Sequence, residues 1–410
     1  MSKKIAIVSL GYFWFPCESG PSRFYQIATT FVKNGYEVEV ITTDFQHFKK
    51  IPRDKGTILS QGYPFKITFI ETMPYKKNID PRRVISNRLA EKRVRAYLSA
   101  HMDDYDAVYV SIPANNIAAA VTTICKEHDV PCVVDIEDLW PEAMSMVIKS
   151  AAVRKVLLQS FFKDAETTYA NCSGVIGTSE DYTARAFQYK KRQIPSSTVY
   201  VGCNLEDFDE GVREFREEVK KLRGEFWVSY AGSISTSYDI RTLLLAAQDL
   251  LTSHPEIRVQ ILGTGSQKDE LESFAKENKI SNVTFWGFTA YPKMAAVLDQ
   301  SDLVINSFIK GAPQSIVNKV GDYLASGKAM INTLENPEFC RLVENNRVGI
   351  NVPPENKNAL AHAIVSLEND EARRAEMGRN ARRLAENDFN RESSYQRIVD
   401  LTEQCIENKK

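Results

Sequence analysis

The chain runs twice through one alternation: a short apolar segment, a loop, an amphipathic helical stretch, and a second apolar segment. The first pass is Lys4-Ile-Ala-Ile-Val-Ser-Leu10, a loop from Gly11 to Gly20, a helix expected from about Pro21 to Asn34, and Gly35-Tyr-Glu-Val-Glu-Val-Ile-Thr42. The second begins at Phe226-Trp-Val-Ser-Tyr-Ala-Gly232, passes through a loop to Asp239 and a helix from Ile240 to Ser253, and returns with Arg258-Val-Gln-Ile-Leu262. Strands that lack polar alternation are buried on both faces, as in parallel sheets. Strand, helix and strand in quick succession make a βαβ unit. A chain of 410 residues is long enough for two such domains. The expected fold class is therefore α/β, with two Rossmann-like domains and a cleft between them.

Bulk properties narrow the function classes. The net charge of −1 gives no footprint for nucleic acid. No apolar run approaches the ~18 residues needed to span a bilayer, and Met1-Ser-Lys-Lys leads into a strand without a secretory pattern. The seven cysteines are odd in number and form no C-x-x-C pair, which fits reduced thiols in the cytoplasm. The five histidines show no metal-ligand spacing, so no metal site is expected.

One stretch concentrates polar groups on a helix. Gln314 to Met330 reads QSIVNKVGDYLASGKAM, and at about 100° per residue Ser315, Asn318, Lys319 and Asp322 share a stripe opposite Ile316, Val317, Val320, Tyr323 and Leu324. A helix is expected to start at Ser315 as N-cap and to stop near Ser326-Gly327. Free N–H groups at Ile316 and Val317 would then attract an anion. The plain alternative is a surface helix with a solvated face.

This stretch resembles retaining family-4 glycosyltransferases of the GT-B fold, which carry two glutamates separated by seven residues where this chain has Gln314, Ser315 to Gly321, and Asp322. The resemblance implies that Asp322 holds the nucleotide ribose, that Gln314 lies beside the donor sugar, and that N–H groups from Ser315 to Asn318 bind the diphosphate. It extends to three glycine turns. Glu18-Ser-Gly20-Pro keeps one glycine of the first-loop pair; Gly232-Ser233 lies where the diphosphate passes; Asn282-Val-Thr-Phe-Trp-Gly287-Phe288 matches the turn that reads the nucleobase. The family brings two phosphate-binding side chains to the loop after Gly232, where this chain has Ser233 and Tyr238; Lys319 is left to replace part of the missing charge. Gln314 and Lys319 are thus the candidate catalytic residues. Gly263-Thr-Gly265 reads either as a phosphate turn or as a tight structural one.

Asp135-Ile-Glu-Asp-Leu-Trp-Pro-Glu142 follows a strand end, where open α/β sheets place ligands. It resembles members of the family that build bacterial surface polysaccharides, notably amino-sugar transferases such as the L-fucosamine transferase. Asp138 and Glu142 are the candidate binders of acceptor hydroxyls and Trp140 a platform for a sugar face; a structural turn with Trp140 as core filler is the alternative. The helix-forming run Ala143 to Phe162 offers either a lipid-facing surface or ordinary core. From Lys76 to Arg95 eight basic residues oppose two acids, on a helix expected over about Pro81 to Ala100 with Val84, Ile85, Leu89, Val94 and Leu98 as its apolar stripe. Such a helix suits either an anionic membrane surface or solvent.

The expectation is a metal-independent retaining glycosyltransferase that needs no cofactor. It would use a nucleotide-diphosphate sugar, a UDP-sugar being favoured, and a lipid-linked saccharide acceptor at the inner membrane face. The domains are expected at 1–205 with a returning helix in 388–410, and at 206–387. A GT-B-shaped nucleotide-sugar epimerase and a non-catalytic paralogue acting as partner or scaffold are the other readings.

Overall fold

Each apolar segment becomes a parallel strand in the computed structural model, which describes residues 2–19, 22–77, 80–142, 151–189 and 193–409, without side chains for Ser19 and 151–157. The chain separates into two units, Met1–Tyr200 with Ser394–Lys410, and Val201–Ser393.

The first unit contains β1 (Lys4–Val8), β2 (Glu37–Thr43), a small antiparallel pair β3 (Phe45–Gln46) and β4 (Ile51–Pro52), then β5 (Lys66–Ile70), β6 (Ala107–Ile112), β7 (Cys132–Ile136), β8 (Gly174–Gly177) and β9 (Ser196–Thr198). Seven of them form a parallel sheet in the order β5-β2-β1-β6-β7-β8-β9. Strand order reverses between β1 and β6, which is where such sheets open a crevice at their C-terminal ends. The helix Arg23–Lys33 is capped by Ser22, whose hydroxyl accepts from the Tyr25 N–H (3.1 Å). It buries Phe24, Ile27, Ala28 and Phe31, the three-four spacing that puts one face on the sheet. The closing helix, Gln396–Glu407, belongs to this unit and seats Ile398, Leu401 and Ile406 in the same core as Ile5, Tyr109 and Val133. Below it the buried Arg23 guanidinium pairs with Asp135 (3.0 Å) and meets the Tyr395 hydroxyl (3.3 Å), while Tyr109 donates to Asp135 (2.7 Å).

The basic helix forms over Pro81–His101, with Asp80 accepting from the Arg82 N–H (2.9 Å). Its buried stripe differs from the expected one. Ser86, Ala90, Val94 and Leu98 face the core at every fourth position, whereas Val84 and Ile85 are 48% and 51% exposed. Small Ser86 and Ala90 let the helix lie close to its neighbour, so packing rather than hydropathy chose the face.

The second unit holds β10 (Phe226–Ala231), β11 (Ile257–Leu262), β12 (Val283–Gly287), β13 (Leu303–Asn306), β14 (Ala329–Asn332) and β15 (Gly349–Asn351), parallel in the order β12-β11-β10-β13-β14-β15. Its reversal lies between β10 and β13. The helix expected from Ser315 instead spans Lys319–Ala325. Ser315 is not its cap: the hydroxyl is buried without a hydrogen-bond partner. β-branched Ile316 and Val317 favour extended backbone, and the first turn closes tightly, with Val320 N–H to Val317 O (3.0 Å) and Gly321 N–H to Asn318 O (3.2 Å). The N–H groups of Ile316 and Val317 therefore belong to an irregular approach rather than to a helix tip.

Candidate functional site

Three glycines line up at the C-terminal ends of β10, β11 and β12. Gly263 donates its N–H to Gly287 O (2.8 Å), and a Cβ on Gly263 would lie 1.8 Å from Gly232 O. Gly263 also sits at φ +141°, so both space and backbone demand glycine there. Gly263-Thr-Gly265 is thus a packing turn: the Ile234 N–H bonds Thr264 O (2.9 Å), and the Gln267 N–H bonds Ile234 O (3.1 Å). Next to this row, Lys319 reaches Gly232; a Cβ there would be 3.3 Å from Lys319 Cδ and 3.7 Å from its Nζ.

Lys319 Nζ sits among aromatic rings. Their centroids lie 4.2 Å (Tyr230), 4.3 Å (Tyr238), 5.1 Å (Phe308) and 6.0 Å (Tyr323) away. The nitrogen is buried and has no hydrogen-bond partner. Burial without a counter-ion pushes this amine well below the ordinary lysine range, while the ring faces attract the ammonium form and oppose that shift. Tyr323, four residues on, fixes the helix to the end of β10, accepting from the Ala231 N–H (2.8 Å) and donating to its carbonyl (3.1 Å). Gln314 Oε1 and Ser315 Oγ are likewise buried without partners. Three unsatisfied polar atoms within six residues of one segment are costly, at ~1–3 kcal/mol each, unless a ligand completes them.

Asp322, one turn beyond Lys319, accepts from the Tyr291 hydroxyl (2.9 Å). Burial raises its carboxyl to about 6, with the Tyr291 bond and Arg391 pulling the other way. Ser233 is exposed, and its carbonyl accepts from Tyr230 (2.6 Å). Phe288 is 82% exposed beyond Gly287 (φ +68°), and Asn318 is exposed without capping the helix. Gly20 lies outside the described residues, as does Ala143 to Ser150 of the run read as lipid-facing or core. The aromatic surround of Lys319 was missed from sequence because Tyr230 and Phe308 read as strand residues. Lys319 and Tyr323 at i and i+4 were the one local signal.

In the first unit, Trp140 Nε1 donates to Asp138 (3.1 Å), and the Arg83 guanidinium stacks over the Trp140 ring (5.2 Å). Asp138 is raised by burial, with the Trp140 bond opposing. Glu142 is bound by Arg185 Nε (2.8 Å), leaving its buried Oε2 without a hydrogen-bond partner. Sequence reasoning missed the neighbouring groups. His47 bonds the Tyr75 hydroxyl and is held at about 3 by burial, with Arg83 and Lys50 adding to the effect, so its ring is neutral. His47, Tyr75 and Arg83 line one small cavity of about 30 Å³ together with Tyr12 and Asn87.

Two parallel-sheet, Rossmann-like halves with strand-end sites define the GT-B fold, and solved structures of that fold match over nearly the whole chain. Residues 212–384 match the family described as glycosyl transferases group 1. The sucrose-phosphate synthase of Thermosynechococcus elongatus superposes with a TM-score of 0.73 at 17% identity, covering 99% of this chain and 100% of that one. Anabaena HepE, solved in complex with UDP, gives 0.70 at 15% identity over 98% and 100%. By sequence, the O-antigen chain mannosyltransferase C of Escherichia coli is 24% identical over 289 residues, 66% of this chain and 71% of that protein.

Proposed function

We propose that the chain is a retaining glycosyltransferase that moves a sugar from a nucleotide-diphosphate donor, a UDP-sugar by preference, to a lipid-linked saccharide in bacterial surface-polysaccharide synthesis. The carrying observation is Lys319: a buried, unpartnered amine beside Gly232, on the segment that also leaves Gln314 Oε1 and Ser315 Oγ unsatisfied. A diphosphate over Gly232 would supply the missing counter-charge, and charge-assisted bonds to it are the strong kind. In this reading Lys319 stabilises charge growing on the leaving diphosphate, Asp322 accepts the ribose hydroxyls, and Gln314 bonds the donor sugar. Ser233 and the backbone of 315–318 add donors, and Gly287-Phe288 meets the base. The UDP and UDP-glucose held by HepE are the kind of donor this requires.

Acceptor hydroxyls would meet Asp138, Glu142 and the free face of Trp140. Val84 and Ile85, exposed beside Arg82, Arg88 and Lys92, would rest on an anionic membrane. Among the described residues no helix is long and apolar enough to cross one.

The test is mass spectrometry of products from a panel of UDP- and GDP-sugars with a lipid-diphosphate saccharide. A retained anomeric configuration in the product supports the proposal. Sugar interconversion without acceptor would indicate an epimerase, and nucleotide binding without turnover a non-catalytic paralogue. Reversing Arg82, Arg88 and Lys92 should reduce flotation with phosphatidylglycerol vesicles; unchanged flotation removes the membrane contact.

A further inference from the structure

We infer that His254, Glu256 and Glu368 form a binding site for one divalent transition-metal ion of the zinc class, at the opposite end of the second sheet from the donor site. His254 closes the turn after the helix Ile240–Leu250, its N–H bonding Leu250 O (2.8 Å). Glu256 precedes β11, and Glu368 is the last residue of the helix Lys357–Glu368. Two carboxylates converge on one ring nitrogen: His254 Nδ1 lies 3.3 Å from Glu256 Oε1 and 2.9 Å from Glu368 Oε2.

A single Nδ1–H cannot satisfy both. It points at Glu256, and Glu368 Oε2 is left buried without a hydrogen-bond partner. A cation between the three groups would engage this unpartnered oxygen and draw the two carboxylates and the ring nitrogen onto one centre. Their spacing suits it, because ligands ~2.0–2.1 Å from a tetrahedral zinc lie about 3.3 Å apart. One imidazole and two carboxylates with an open fourth position form a zinc-type ligand set, whereas calcium would need six or more oxygens.

The place in the fold sets the ion's role. Glu256 stands at the N-terminal end of β11 and Gly263 at its C-terminal end, roughly 20 Å apart at ~3.3 Å per residue. The ion would therefore clamp a turn to a helix end and raise stability by binding only the folded chain. Ligand spacing along the chain does not reveal the site, because the third ligand, Glu368, comes from a distant helix.

Tag-free protein stripped with EDTA and dialysed should bind one zinc ion per chain in a calorimetric titration with zinc chloride, and its melting temperature should rise by several degrees. His254→Ala and Glu368→Gln should each weaken that binding at least tenfold and abolish the thermal shift. Glu256→Gln, on the exposed side of the turn, serves if either variant fails to fold. Cobalt in place of zinc should give visible absorption without thiolate charge-transfer bands. The inference is overturned by absence of saturable binding, by unchanged stoichiometry in the folded variants, or by thiolate bands that move the ion to cysteine. None of these outcomes touches the glycosyltransferase reading.

Discussion

At the scale of single residues, Lys319 and Asp322 make opposite demands on the fold. Lys319→Met keeps the length of the side chain among its aromatic rings and removes the charge. UDP affinity should fall at least tenfold, about 1.4 kcal/mol, with uridine affinity unchanged when the two are compared by calorimetry. Asp322 titrates in the folded chain near 6, against 3.8 for the free group. Its stability contribution is therefore complete below the free value and is lost as pH rises through about 6. Ribose hydroxyls need the ionised acceptor, so UDP binding should strengthen between pH 5 and 7 while stability declines. Asp322→Asn should flatten that binding profile, weaken UDP, and raise the melting temperature at pH 7.5 relative to the parent chain. A parallel pH profile in the variant would remove Asp322 from the ribose role. Both positions were legible in the sequence, because polar residues on one helical stripe stand out. The groups that tune them, Tyr230, Phe308 and Tyr291, were not, since each arrives from a different element.

Among elements, the glycine row is the most restrictive feature. Gly263→Ala forces a Cβ against Gly232 O at 1.8 Å and a strained φ of +141°. It should cost more than ~2 kcal/mol and lower both the melting temperature and UDP binding, since the displaced backbone belongs to the Gly232 loop. Gly232→Ala, also left-handed at φ +149°, instead meets the movable Lys319 side chain, so its effect should fall more on binding. Periodicity located the strands and most helices because burial on both sheet faces writes itself as continuous apolar runs. It failed at Ser315, where β-branched residues and a buried hydroxyl override a good capping residue. It also failed on the face of Pro81–His101, where small residues set the contact. Side-chain identity reports propensity, and which face is covered depends on the partner surface.

Across the whole molecule, the second unit is a continuous stretch and the first is not. A protein ending at Ser393 loses Ile398, Leu401, Cys405 and Ile406 from the first core. At roughly 1.5–3 kcal/mol for each large buried apolar side chain, that loss approaches the ~5–15 kcal/mol that stabilises a domain. The truncated chain should show two thermal transitions, the first unit melting well below its full-length value, while residues 201–393 made alone should retain a cooperative transition. A single unchanged transition would contradict this division. The two-sheet architecture was readable because the alternation restarts at Phe226; the closing helix's place against β7, β8 and β9 was not, because its partners lie far back in the chain.

This discontinuity has a bearing on biosynthesis. During translation the second unit emerges complete while the first still lacks its final helix, so the earlier-made half must wait for the later-made one. Nascent chains stopped near residue 393 would leave Val133 on β7 and Ile176 on β8 uncovered, a natural target for chaperones that shield half-finished sheets.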